Sequence, residues 1–425
     1  MGTDFRLLRR LAVGIVAVLA TMLVACSDDD ALPTDPMAKS YKAEVRDGVV
    51  SLLHVSDVHG SSNGLLIIRR DIMPVSNDVV IVNTGDLESH RPKVKYPEVL
   101  SWMVSQWNVS HSDRPFLLVK GNHDACDIEF PGENGYTSGT EHQANATAHL
   151  LKPVMDGLVV WGDPSGVGGY WHKDIVTNGV KLRIIGIDEY EHSVGTPAAL
   201  EGEDHSMRYS KIYSPAQIDW LENLLKNTPS DYYIVMCHHA PLYKFHPPEV
   251  LNDFVHHGIV GQFDSSFQKY YSGSMSFYRD GNIDLMARII DAYQHRRHLS
   301  FTCANGVAGS SLAVDVDFSG VEPATFACHL CGHTHRDYCE YHPSFPSQLC
   351  LTVGTCSPIQ SPSAEDLVRD TKGVSSYLLN RVTIDTNRNV VVVERFGASE
   401  LKNESWIVQD GSSRKRIEFA IHRPE

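Results

Sequence analysis

Residues 49–59 read VVSLLHVSDVH, a run of seven mostly apolar residues followed, after one serine, by an acid and an imidazole two apart. The run from Val49 to Val55 is too short for a helix and rich enough in Val and Leu to be a buried strand. The pattern recurs downstream: Val79 to Val82 precedes Asp86, Phe116 to Val119 precedes Asn122, and Tyr233 to Met236 precedes His238. Short apolar runs that each end in chemically able residues predict an α/β fold whose site lies at the carboxyl ends of its strands. Helical punctuation agrees with this. Ser214-Pro215 is a good N-cap with Pro in the first turn, and Ile218, Leu221, Leu224 and Leu225 follow at helical spacing.

Asp57 and His59 are two apart, so on an extended backbone both side chains leave on the same side. A carboxylate and an imidazole converging there make half a coordination shell for a borderline divalent cation. Taken alone, the pair fits a capping Asp and a surface His better. His333 and His335 repeat the spacing after Gly332, a residue that lets the backbone come close to a metal. A rival reading joins Cys328, Cys331 and these histidines into a structural zinc knuckle. In Gly121-Asn122-His123-Asp124 an Asn oxygen can serve as a neutral ligand while His123 donates a proton or positive charge. The same residues also describe a polar turn.

Taken together and in order, Asp57-x-His59, Gly85-Asp86, Gly121-Asn122-His123-Asp124, a His of the pair His238-His239, and Gly332-His333-x-His335 resemble the calcineurin-like metallophosphoesterase superfamily. Gly169-Tyr170-Trp171 and Ile185-Gly186-Ile187-Asp188 resemble its middle strands, and Gln217 to Leu221 its central helix, so the likeness spans roughly residues 49 to 395. It implies a four-layer α/β/β/α sandwich. It also implies two divalent cations, Mn, Fe, Zn or Mg: one on Asp57, His59 and His335, the other on Asn122, His333 and the central His, with Asp86 bridging. Water activated between them would hydrolyse a phosphomonoester or phosphodiester, with His123 protonating the departing oxygen and Asp124 orienting it. Strand register favours His238 as the central ligand; the His-x-Pro spacing to Pro241 favours His239, and the choice leans to His238. Where relatives of one type carry an Arg four residues after the bridging Asp to grip phosphate, this chain has His90, then Arg91, so substrate recognition does not carry over. The rival to an enzyme is a binding module that keeps the fold without the chemistry.

The chain has 425 residues and a formal charge of −15, which disfavours non-specific binding of nucleic acid. Arg6, Arg9 and Arg10 precede an apolar stretch from Leu11 to Ala25 that is short for a membrane span and laid out as a signal peptide over residues 1–25. Leu23-Val24-Ala25-Cys26 resembles a bacterial lipobox, which implies acylation of Cys26 and a lipid anchor; Ser27 implies sorting to the outer membrane, facing the periplasm or the surface. Residues 26–46 then read as a tether. Eight cysteines remain, and export predicts that some of Cys328, Cys331, Cys339, Cys350 and Cys356 staple the last His motif.

Since the candidate ligands run from residue 57 to residue 335, one catalytic domain over 47–425 is expected. It carries an insertion at about 242–325 near the mouth of the site. Strands follow at about 377–421, with Asp385 to Asn389 as a hairpin loop.

Overall fold

The computed structural model describes residues 45–424 apart from 75–76, 88–93, 96–97, 127, 130–138, 192–210, 243–281, 306–310, 334–337, 355, 357–376 and 398–415. The signal segment, Cys26, most of the tether, His90, Arg91 and His335 therefore lie outside the described residues. The first strands are β1 (Val49–Val55), β2 (Ile81–Asn83), β3 (Val94–Lys95), β4 (Phe116–Leu118), β5 (Ile128–Glu129), β6 (Val160–Trp161), β7 (Trp171–Thr177), β8 (Val180–Gly186) and β9 (Tyr233–Cys237). The rest are β10 (His298–Ala304), β11 (Ser311–Asp317), β12 (Thr325–Cys331), β13 (Tyr338–His342), β14 (Phe345–Thr352), β15 (Leu378–Asp385), β16 (Val390–Gly397) and β17 (Arg416–Ala420).

Two sheets carry the fold, ordered β17-β16-β15-β1-β2-β4 and β13-β14-β12-β9-β8-β7-β6. In the first, β1, β2 and β4 run parallel and β15 turns the sheet antiparallel. In the second, β8, β9, β12 and β14 form the parallel centre. Every residue of β1 and β12 is buried, as expected of strands covered on both faces. The sheets share one apolar core, and Trp171 of β7 donates its indole N–H across it to the carbonyl of Leu118 in β4, 2.9 Å away. The predicted hairpin is β15 and β16, joined through Thr386 to Asn389.

Helices close the outer faces and complete the α/β/β/α sandwich. On the first sheet, helix Glu98–Ser110 is fixed by buried Asn108, which bonds both backbone groups of Phe116 and the carbonyl of Val154. On the second, helix Leu285–Gln294 lies against β12 and β14. Helix Pro215–Lys226 starts as the Ser-Pro signal predicts, with Ser214 Oγ accepting the N–H of Gln217, and buries Ile218, Leu221 and Leu225. The described part of the 242–325 segment is thus an outer helix plus the β10–β11 hairpin.

The cysteines depart from expectation. Cys237, Cys303, Cys328, Cys331 and Cys350 are buried free thiols. Cys328 and Cys331 sit three apart on one strand, so their side chains leave opposite faces of the sheet. That geometry forbids both a disulfide between them and a shared zinc, and the knuckle reading falls with it. Burial raises both thiols well above their ordinary range and keeps them protonated.

Candidate metal centre

The two parallel centres end at one place. β1 delivers Asp57 and His59, β2 delivers Asp86, β4 delivers Asn122 and His123, β9 delivers His239, and β12 delivers His333. Of the seven non-glycine residues with positive φ among the described residues, four are in this group: Asp57 (52°), His59 (48°), Asp86 (53°) and His333 (69°). Left-handed backbone at a non-glycine residue costs of order 1–3 kcal/mol and persists only where its surroundings impose it. Here neighbouring loops impose it. Asp57 N–H donates to the carbonyl of Gly85 and His59 N–H to that of Asp86, both at 3.0 Å, and His333 N–H donates to Asp57 Oδ2 at 2.8 Å.

Two motif glycines are explained by the same crowding. Gly85, at φ 109°, lies against the ring of His239, and a Cβ there would overlap Nδ1. A Cβ on Gly332 would overlap the Ser56 side chain and stand 2.7 Å from Asp57 Oδ2.

Asp86 is the centre. Its Oδ1 accepts the N–H of His123 at 2.9 Å. Its Oδ2 is buried and faces His239 Nε2 at 3.3 Å, His59 Nε2 at 3.8 Å and His123 Nε2 at 3.9 Å. Burial opposes ionisation of this carboxyl, but the imidazoles of His239, His123 and His59 outweigh it and hold Asp86 well below the usual carboxylate range. Asp86 belongs both to a trio with His59 and His123 and to a trio with His239 and His333.

The second trio is tightly drawn. Asn122 Oδ1 lies 2.8 Å from His239 Nε2 and 2.9 Å from His333 Nδ1, and those two nitrogens are 3.2 Å apart. His239 Nδ1 sits 2.7 Å from the carbonyl of Thr84, an acceptor only, so Nδ1 carries the proton. In the neutral ring, Nε2 is then a lone pair. Asn122 Oδ1, His239 Nε2 and the Asp86 oxygen are therefore all acceptors crowded together. Donor atoms bound at 2.0–2.1 Å to one octahedral ion are about 3 Å apart, so this group fits a divalent cation. In the metal-free chain a proton takes the cation's place. Burial presses His239 towards its neutral form, but Asp86 and Asp57 prevail and lift the imidazole to about 10.

A pH dependence follows. Folded His239 is raised above its ordinary 6.5, so the stability it lends the metal-free chain is full below that value and lost as pH rises through about 10. A cation must displace that proton, so Mn²⁺ affinity should rise about tenfold per pH unit between pH 6 and 8. Titration in weak buffer should show proton release; a flat affinity profile would contradict the placement of His239.

The lean towards His238 is corrected here. His238 N–H donates to the carbonyl of Leu330 at 2.9 Å, extending the β9–β12 ladder by one residue. Strand alternation then carries its side chain away from Asp86. Its Nε2 meets His329 Nδ1 at 3.0 Å, and His329 Nε2 donates to Gln348 Oε1 at 2.9 Å. Burial first, then the neighbouring His329 and Lys211, pushes His238 well down, and burial takes His329 to about 3.

Asp57, whose Oδ1 is 3.8 Å from His59 Nε2, stands beside the first trio. The rings of His59 and His123 meet edge to face at 5.0 Å, and the His123 side chain keeps 14% exposure against 1% for Asp86. Asp124 Oδ2 accepts the N–H groups of Gly121 at 3.0 Å and Leu87 at 3.4 Å, joining the loops that carry His123 and Asp86.

Behind these loops lie residues to which the sequence assigned no role, Asp188 having been read only as part of a middle strand. Asp188, Glu189, Lys120 and Lys211 are all buried, in two ion pairs: Lys120 with Asp188 at 2.9 Å and Lys211 with Glu189 at 2.7 Å. Their one signal is an acidic dipeptide placed directly after an apolar strand.

A family profile described as calcineurin-like phosphoesterase matches residues 50–286. Among solved structures, a dimetal phosphatase from Danio rerio is similar at 10% identity and a TM-score of 0.42, covering 88% of this chain and 100% of that one. A phosphopantetheinyl hydrolase from Mycobacterium tuberculosis is similar at 13% identity and a TM-score of 0.35, covering 73% and 91%. No curated protein matches.

Proposed function

The chain belongs to the calcineurin-like phosphoesterase family, and from that premise we propose that it hydrolyses a phosphomonoester or phosphodiester outside the cytoplasm with two divalent cations. The observation that carries this reading is the buried Asp86 Oδ2, faced by three imidazole nitrogens within 3.9 Å. Asn122, His239, His333 and Asp86 would hold one cation. Asp57, His59 and Asp86 would hold the other, joined by His335 on the resemblance alone. Bound there, a pair of Mn, Fe, Zn or Mg ions would supply Lewis acidity towards phosphoryl oxygens and a water acidic enough to ionise near neutral pH.

The chain's own residues supply the rest. His123, the most open imidazole of the first trio, is placed to give a proton to the departing oxygen, and Asp124 fixes its loop through the backbone of Gly121 and Leu87. The substrate is a phosphorylated small molecule or a phosphodiester. His90 and Arg91 would contact it. A binding module that had lost the chemistry would have no use for the whole set of carboxylate, amide and imidazole groups gathered around Asp86, so the enzymatic reading is the better supported one.

The test is reconstitution. The metal-stripped chain should hydrolyse neither p-nitrophenyl phosphate nor bis-p-nitrophenyl phosphate, and Mn²⁺ should restore turnover of at least one ester. Equal rates with and without chelator would sink the proposal. A lipid anchor on Cys26 would hold the chain at the outer membrane. Cys26→Ser should move it to the soluble fraction or block processing, and unchanged fractionation would remove the anchor.

A further inference from the structure

We infer that the buried dipeptide Asp188-Glu189 is a positioning device that sets the spacing between the Asn122 loop and the His239 loop, and thereby the affinity of their shared site for a divalent cation. The inference rests on the reading of that site as a metal centre. Both residues follow the end of β8, and both are 0% exposed.

Each grips a different ligand loop. Glu189 Oε2 accepts the N–H groups of His239 at 3.1 Å and Ala240 at 2.6 Å. Its Oε1 takes the Lys211 ammonium at 2.7 Å and the Tyr213 hydroxyl at 3.2 Å. Lys211 in turn donates to the carbonyls of Ala240 at 3.3 Å, Pro241 at 2.9 Å and Ile283 at 3.3 Å. The His239 loop is thus held by its N–H groups and its carbonyls at once. On the other side, Asp188 Oδ2 takes the Lys120 ammonium at 2.9 Å, two residues before Asn122, together with Gln143 Nε2 and the N–H of Gly169 at 3.0 Å. Asp188 Oδ1 accepts the N–H of Tyr190 at 3.0 Å.

Stability alone does not account for this arrangement, because a buried ion pair is about as stable as apolar residues of the same shape. Placement does. Adjacent residues reach in opposite directions to two loops whose ligand atoms, Asn122 Oδ1 and His239 Nε2, stand 2.8 Å apart. A metal site tolerates errors of only about 0.5 Å in such spacing.

The experiment is Mn²⁺ titration of the metal-stripped full chain, beside a urea unfolding curve, for wild type, Glu189→Gln, Tyr213→Phe and Asp78→Asn. Outer residues that orient ligands typically carry 10–100-fold in affinity, so Glu189→Gln should lose about that much. Tyr213→Phe, which removes one donor to Glu189 and touches no ligand, should shift affinity the same way by less. It carries the test if Glu189→Gln does not fold. Asp78→Asn breaks a buried pair with Arg381, at the opposite end of β2 from Asp86, and should unfold more easily while binding Mn²⁺ as wild type does. Wild-type affinity in folded Glu189 and Tyr213 variants overturns the inference, as does an equal loss in Asp78→Asn. A wild-type chain that binds no Mn²⁺ overturns the metal-centre reading beneath it.

Discussion

Asp86→Asn should lower Mn²⁺-dependent hydrolysis of the nitrophenyl esters by about 10³-fold or more while leaving the fold intact. Asn accepts the left-handed backbone that Asp86 adopts at φ 53°, and its carbonyl can still receive the N–H of His123. What changes is the other arm. An amide would replace the anionic Oδ2 in front of His59, His123 and His239, and both trios would lose the one ligand they share. Metal ions at such sites are worth several kcal/mol of transition-state stabilisation, and about 4 kcal/mol is a factor of 10³. Initial rates at saturating Mn²⁺, with circular dichroism as the fold control, decide it; a loss within a few-fold would remove Asp86 from the centre.

Arg381→Ala should cost about 3–5 kcal/mol of stability without touching the metal centre. Arg381 lies in β15 beside Leu53 of β1, fully buried, with its guanidinium over the ring of Phe396. It binds the Asp78 carboxylate through Nε at 2.8 and 3.0 Å and through an Nη at 2.7 Å. Removing it takes the two-armed guanidinium contact away from a buried carboxylate and leaves a cavity in the sheet. Replacing both partners, as Arg381→Met with Asp78→Leu, should recover most of the loss, because the charge and its counter-charge leave together. Urea unfolding gives both numbers. A single variant within 1 kcal/mol of wild type would show that the pair is not a stabilising contact of this sheet.

The strand-end placement of Asp57, Asp86 and Asn122 was legible because each follows an apolar run, and parallel strands buried on both faces are written as such runs. The two-sheet architecture came from the resemblance; periodicity does not specify strand order, and a strand as short as Val160–Trp161 carries no pattern at all. His239 could not be separated from His238, because the choice turns on one extra rung between β9 and β12, a contact made only in the folded sheet. The even cysteine number misled, since a count says nothing about which face of a strand a thiol occupies. Asp188 was legible only as the end of a middle strand, and Glu189, Lys120 and Lys211 were missed because charged residues read as solvated until their burial is seen.

The left-handed turns at Asp57, His59, Asp86 and His333 also bear on how this centre can evolve. Apart from glycine, which brings no ligand, Asp, Asn and His are the residues that best tolerate that region, whereas β-branched or bulkier replacements are strained there before any coordination is considered. Among residues able to hold an ion, drift at these four positions thus favours oxygen and nitrogen donors. Within those bounds, exchange of one hard or borderline ion for another requires no rebuilding of the loops. A switch to a thiolate-rich, soft-metal chemistry would have to reshape the backbone first.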